Sequence, residues 1–233
     1  MLKETARYAC MDVELVEAVD GHRLLPEETE RLFDVKRFTY RYKRYPYPGE
    51  IGCGLSHQEC YRRLLKSDEE VALILEDDVF FQHPEDVHLI FENIDKVMVS
   101  DKNCIITLAS HLLYFTKDIS KIGHYSFYRF IKAVGTCAYL VNRHAAEKLL
   151  SVNKPSIVAD DFEYMFRHGI YLLGIYPYLA SGASSEQLVE SEIIQNRKSS
   201  EMRKTSFKYR MTRFFDYKLY GLLWRLKIVK FRL

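Results

Sequence analysis

The 233-residue chain is 48% hydrophobic and 28% charged, proportions that allow one domain with a sizeable core and exclude a disordered or fibrous protein. Its net charge of +2 hides an asymmetry: residues 204 to 233 carry nine Lys or Arg against one acid, Asp216, so the other 203 residues are acidic by six. Five cysteines without CxxC spacing argue against a disulfide framework or a zinc site, and the absence of any run of about 18 apolar residues argues against a membrane-spanning helix.

The start, MLKETARYACMDVEL, lacks the apolar stretch of a secretory signal, so the expectation is a cytoplasmic chain with reduced thiols. After a short helical start, VELVEAVDG alternates Val13, Leu15 and Val19 before Asp20-Gly21 and predicts a strand and turn. KRFTYRYKRYPYPG, 36 to 49, interleaves five cations with five aromatic residues, and Pro46 and Pro48 break any period, so it reads as a loop. As a lid over a ligand it would pack rings on the ligand and set cations on phosphates, and a solvated loop with a few anchoring rings is the alternative. Ser56 with Glu59 forms a capping-box pattern that predicts a helix start ahead of Tyr61, Leu64 and Leu65.

VALIL, 71 to 75, predicts a buried strand, and PEDVHLIFENIDKVMV a helix with Val87, Ile90, Phe91, Ile94 and Val97 on one face. CIITLA and TCAYLV follow as strands. Asn142 caps one further helix, and Asp160-Asp161 open another that stops at Gly169. Strands separated by helices predict an α/β fold with a mostly parallel sheet and helices on both faces. In the tail, Met211, Phe215, Leu219, Leu222, Leu223, Leu226, Val229 and Leu233 recur at helical spacing, which predicts a basic amphipathic C-terminal helix suited to an anionic membrane surface. A composition break near 197 to 206 divides the chain into a domain over 1–200 and a tail over 201–233.

The chemistry concentrates in LILEDDVFF, where Glu76, Asp77 and Asp78 follow a buried strand. A strand ends in charge where it meets water or a cation, and carboxylates at such an end suit Mg²⁺ or Mn²⁺, which accept oxygen ligands and share them with substrate phosphates. An acidic, solvated turn is the alternative.

GEIGCGLSH, 49 to 57, followed by LILEDDV, GTCAYLVNRHAAEKLL (135 to 150), VADDFEYMF (158 to 166), IYPYLASG and SEIIQNR (191 to 197), resembles glycosyltransferase family 25, which includes bacterial lipopolysaccharide and lipooligosaccharide sugar transferases and collagen galactosyltransferases. The resemblance implies a GT-A-like fold, a UDP-sugar donor, usually UDP-galactose, inversion at the sugar carbon, and a divalent cation, Mn²⁺ or Mg²⁺. It implies Asp78 as the leading metal ligand, with Glu76 or Asp77 supporting, and Gly52, Ser56 and His57 near the donor. Direct displacement needs a base at the acceptor hydroxyl, and Asp160 and Asp161 are both candidates, either of which could instead serve as a helix cap. The implied partners are a glycolipid acceptor and the anionic inner face of the cytoplasmic membrane, with no nucleic acid. Family members begin with a strand of the type VISL, which this chain does not show, so an inactive shortened relative that binds sugar or membrane is the competing expectation.

Overall fold

The computed structural model describes residues 13–109, 112–133, 135–182, 219, 222–223, 226 and 228–232, with the side chains of 112–116 and 229–232 left aside. The initial helix, the segment SEIIQNR, the composition break and most of the basic tail lie outside the described residues.

Three helices open the described chain: α1 (Pro26–Leu32), α2 (Val35–Tyr42) and α3 (Pro48–Lys66). Then come β1 (Val71–Leu75), β2 (Val79–Phe81), α4 (Val87–Glu92) between two single 3₁₀ turns, and β3 (Cys104–Thr107). A hairpin of β4 (Leu112–Ile122) and β5 (Tyr125–Ala133) leads to β6 (Ala138–Asn142), α5 (Arg143–Leu150), α6 (Phe162–Arg167), β7 (Tyr171–Tyr176) and β8 (Ala180–Gly182). A last strand, β9, spans Val229–Arg232.

The main sheet has the order β1-β6-β3-β7-β5-β4-β9, and β2 pairs with β8 in a small second sheet. The α/β, GT-A-like expectation holds, with helices on both faces. Alternate residues of each strand feed the two cores. On one side Ile106, Leu140 and Leu173 pack with Val87 and Ile90 of α4. On the other, Ile105, Tyr139, Val141 and Leu172 pack with Tyr61 and Leu64 of α3, Ala145 and Ala146 of α5, and Phe162 and Met165 of α6.

The strand pairing corrects the expectation of a mostly parallel sheet. β1, β3, β4 and β7 run one way, yet only β3 and β7 are adjacent parallel neighbours. The reason is the hairpin. A tight turn at Gly123, φ +56°, forces β5 antiparallel to β4, and β6 then threads back between β1 and β3.

Four other local expectations change. Residues 13 to 20 join no ladder; Val19 N–H instead donates to Ser56 Oγ at 2.9 Å. The Tyr-rich stretch is α2, capped by Asp34, whose Oδ1 accepts from Arg37 N at 2.9 Å, and it closes at Lys43 in the left-handed region. Phe38 is fully buried there against Phe33, Ile51 and Leu55, so the helix is anchored to the core instead of forming a lid. α3 begins at Pro48, eight residues before Ser56, because Pro fits the first helical position and Glu50 Oε2 accepts from Tyr47 N at 3.0 Å. The basic tail does not continue as one helix to Leu233: Leu219, Leu222 and Leu223 are helical, and the chain then pairs as β9 with β4. The alternating VKFR sequence suits the sheet edge that β4 offers.

Candidate active site

Glu76, Asp77 and Asp78 occupy the turn between β1 and β2, at the carboxyl edge of the sheet. The β1–β6 register extends one step past the strand, so that Glu76 N–H donates to Cys137 O at 2.9 Å. The three carboxylates diverge. Asp77 is exposed and Asp78 is half-buried, whereas Glu76 turns inward toward α3.

Glu76 Oε1 accepts from Thr136 Oγ1 at 2.5 Å and faces His57 Nε2 at 3.3 Å. Burial pushes the Glu76 carboxyl up, but the hydrogen bond from His57, the field of that ring and the Thr136 hydroxyl outweigh it and hold the group below the usual carboxylate range. Glu76 is therefore an anion at neutral pH. Asp160 reaches the same place from the turn before α6, its Oδ2 accepting from Gly135 N–H at 3.3 Å. Gly135 sits at φ +83°, in the left-handed region, where glycine carries no Cβ penalty. The segment Gly135-Thr136-Cys137 thus touches the acidic turn and Asp160 at once.

A half-buried thiol and a buried one register the resulting negative field. Cys53 is pushed up to about 12, first by burial and then by Glu76, Asp160 and Glu50. Cys137 is pushed up to about 12 by burial, then by Glu76 and Asp78. Cys53, His57 and Glu76 carry donor atoms within 4.8 Å of one another, a grouping the sequence spacing did not reveal. Soft-metal binding there would require a thiolate, which both burial and the three carboxylates oppose. Carboxylate oxygens such as those of Asp78, Glu76 and Asp77 suit a hard cation such as Mn²⁺ or Mg²⁺ by their chemistry, although among the described residues the three do not bring their oxygens within 4.8 Å of one another.

Asp160 and Asp161, adjacent in sequence, have different surroundings. Asp161 caps α6, its Oδ1 accepting from Tyr164 N at 2.9 Å, while its Oδ2 accepts from Arg41 Nε at 2.7 Å and from the Tyr42 hydroxyl. Tyr42 is pushed up by burial and then by the Asp161 charge, so it stays a donor. Asp161 is thereby committed to tying α2 to α6.

Gly52 and Ser56, both within α3, meet the chain's own backbone. A Cβ on Gly52 would lie 2.2 Å from Val19 O. Ser56 Oγ donates to Gly52 O at 2.8 Å while accepting from Val19 N. Their freedom from bulk seats the 19–21 segment on the helix. Arg44 of the Tyr-rich stretch forms a two-pronged pair with the buried Glu50, at 2.6 and 2.7 Å, so it too is engaged internally. The residues that composition alone did not mark are Tyr61 and Tyr139, buried tyrosines that resemble core until their hydroxyls are followed to His57.

The class the fold defines is GT-A-like α/β, with Glu76, Asp77 and Asp78 following the carboxyl end of β1. The family model described as glycosyltransferase family 25 (LPS biosynthesis protein) matches residues 1–164, and the chain belongs to that family. It is 35% identical over 94 residues to human procollagen galactosyltransferase 2, a match covering 38% of this chain and 15% of that protein. It is 37% identical over 78 residues to a glycosyltransferase 25 family member of Anopheles gambiae, covering 31% and 13%. The matched segments thus span about a seventh of the length of these curated relatives.

Proposed function

We propose that the chain transfers a hexose, galactose from UDP-galactose, to a hydroxyl of a lipopolysaccharide or lipooligosaccharide acceptor with inversion at the sugar carbon. The observation that carries this reading is the convergence of Glu76 and Asp160 on Gly135-Thr136-Cys137, with the Asp78 charge near enough to help raise the Cys137 thiol. The family's printed description supports the acceptor class, and the galactosyltransferase named among the relatives supports galactose as the sugar.

Asp78, with Glu76 and Asp77 supporting, holds a divalent cation in this reading. When bound, that ion supplies positive charge to offset the charge growing on the departing diphosphate. Glu76 stays ionised and fixed by His57 and Thr136. Asp160, oriented by Gly135 N–H, takes the proton of the acceptor hydroxyl as its oxygen bonds to the sugar carbon; the bond from that carbon to the phosphate oxygen breaks, and UDP leaves. Asp161 holds the α2–α6 junction that positions Asp160. Incubated with UDP-galactose, Mn²⁺ and a truncated lipooligosaccharide, the protein is expected to release UDP and lengthen the acceptor. No release with any hexose donor would refute the assignment.

The tail gives the enzyme a place to meet its acceptor. Residues 204 to 233 carry a net +8, and Leu219, Leu222, Leu226 and Ile228 are exposed. Cations near an anionic bilayer contribute about 1 kcal/mol each, and exposed leucines add apolar burial. This supports attachment to the inner face of the cytoplasmic membrane. The protein should sediment with phosphatidylglycerol vesicles at low salt and stay in solution with phosphatidylcholine vesicles; equal recovery with both would remove this part of the proposal.

A further inference from the structure

We propose that Tyr139, backed by Tyr61, is a positioning residue that sets His57 in its Nε2–H tautomer and thereby aims His57 at Glu76. The importance of Glu76 rests on the donor-site reading above; the hydrogen-bond chain itself does not.

Four side chains form one continuous path. The Tyr61 and Tyr139 hydroxyls are 2.9 Å apart, the Tyr139 hydroxyl lies 2.7 Å from His57 Nδ1, and His57 Nε2 lies 3.3 Å from Glu76 Oε1. Tyr61, Tyr139 and His57 are all buried, at 5%, 2% and 7% exposure. His57 and Tyr61 stand four residues apart on α3 and therefore share the helix face that meets β6, which carries Tyr139.

The polarity of the path follows from its end. A carboxylate only accepts, so a lone pair on His57 Nε2 would face Glu76 Oε1 in repulsion, and Nε2 must carry hydrogen. In the neutral ring Nδ1 then accepts, and the group at 2.7 Å among the described residues that can donate to it is the Tyr139 hydroxyl. Having given its hydrogen to the ring, Tyr139 oxygen accepts from Tyr61. Every hydrogen points from Tyr61 toward Glu76, and Thr136 adds a second donor to the same Glu76 oxygen. The side chain of Glu76 is thus fixed by groups behind it, leaving the turn that carries Asp78 with a defined anchor.

The test combines a tautomer readout with a binding readout. Imidazole ¹⁵N spectra of the full chain, with the His57 signals assigned from His57→Gln, should show Nε2–H in the wild type and a mixed or shifted pattern in Tyr139→Phe. The affinity for UDP with Mn²⁺ should fall about tenfold in Tyr139→Phe, the lower end of what loss of an outer-shell partner costs, and less in Tyr61→Phe. The second variant also covers the case in which Tyr139→Phe does not fold. Nδ1–H in the wild type, or His57 signals unmoved by both substitutions, would overturn the proposal. A wild type with Nε2–H that binds no UDP would overturn the donor-site reading while upholding the tautomer assignment.

Discussion

Asp78→Asn should reduce sugar transfer by about a thousandfold, because the group proposed to hold the cation would lose its charge and with it several kcal/mol of stabilisation for the departing diphosphate. The substitution keeps size and shape, and Asp78 lies in a turn whose backbone is fixed by Val79 N to Glu76 O at 3.3 Å, so folding should be preserved. Raising Mn²⁺ should recover part of the lost rate if the defect is one of cation affinity. The measurement is initial rate against Mn²⁺ concentration for both proteins. A variant as fast as the wild type at every concentration would show that the acidic turn plays no part in turnover.

The second large effect separates two neighbours. Asp160→Asn should lower kcat by about a hundredfold or more, the range spanned by loss of a general base, with little change in donor KM. Asp161→Ala should act on stability instead. It removes a cap worth about 1 kcal/mol and strands Arg41, which is only 33% exposed, without its carboxylate, for a combined loss of about 3 kcal/mol. Kinetics and thermal melts of both variants test this division. If Asp161→Ala lost turnover with an unchanged melting temperature, the roles given to the two aspartates would be reversed.

Much of the fold was legible in the sequence, and the parts that were not share a physical cause. β3 and β6 show as apolar runs because both their faces are buried, β1 shows as one although only Ile74 in it is fully buried, and α5 and α6 announce themselves through Asn142, Asp161 and Gly169. What one dimension hides is contact between distant segments. Gly52 reads as a breaker, yet it sits inside α3 because the Val19 carbonyl leaves no room for a side chain. The prolines and alternating charges around α2 suggest a loop, but burial of Phe38 and the pairing of Arg41 with Asp161 and Arg44 with Glu50 stabilise a helix there. The hairpin that makes the sheet mixed likewise depends on β5 finding β7, a pairing of residues about fifty positions apart.

The site shows the same split. EDD at a strand end was visible, as was the Asp160-Asp161 pair, but the choice between the two aspartates needed Arg41 and Tyr42, which lie some 120 positions away. Cys53 entered through helix geometry: it stands four residues before His57 and one turn of α3 brings it to Glu76.

The most direct measurement is a calorimetric titration of UDP into the full chain, with Mn²⁺ and with the metal chelated, repeated for Asp78→Asn and Asp160→Asn. The account predicts binding that requires Mn²⁺, is lost in Asp78→Asn and survives in Asp160→Asn. UDP binding of equal strength with the metal removed, or unchanged by Asp78→Asn, would contradict it.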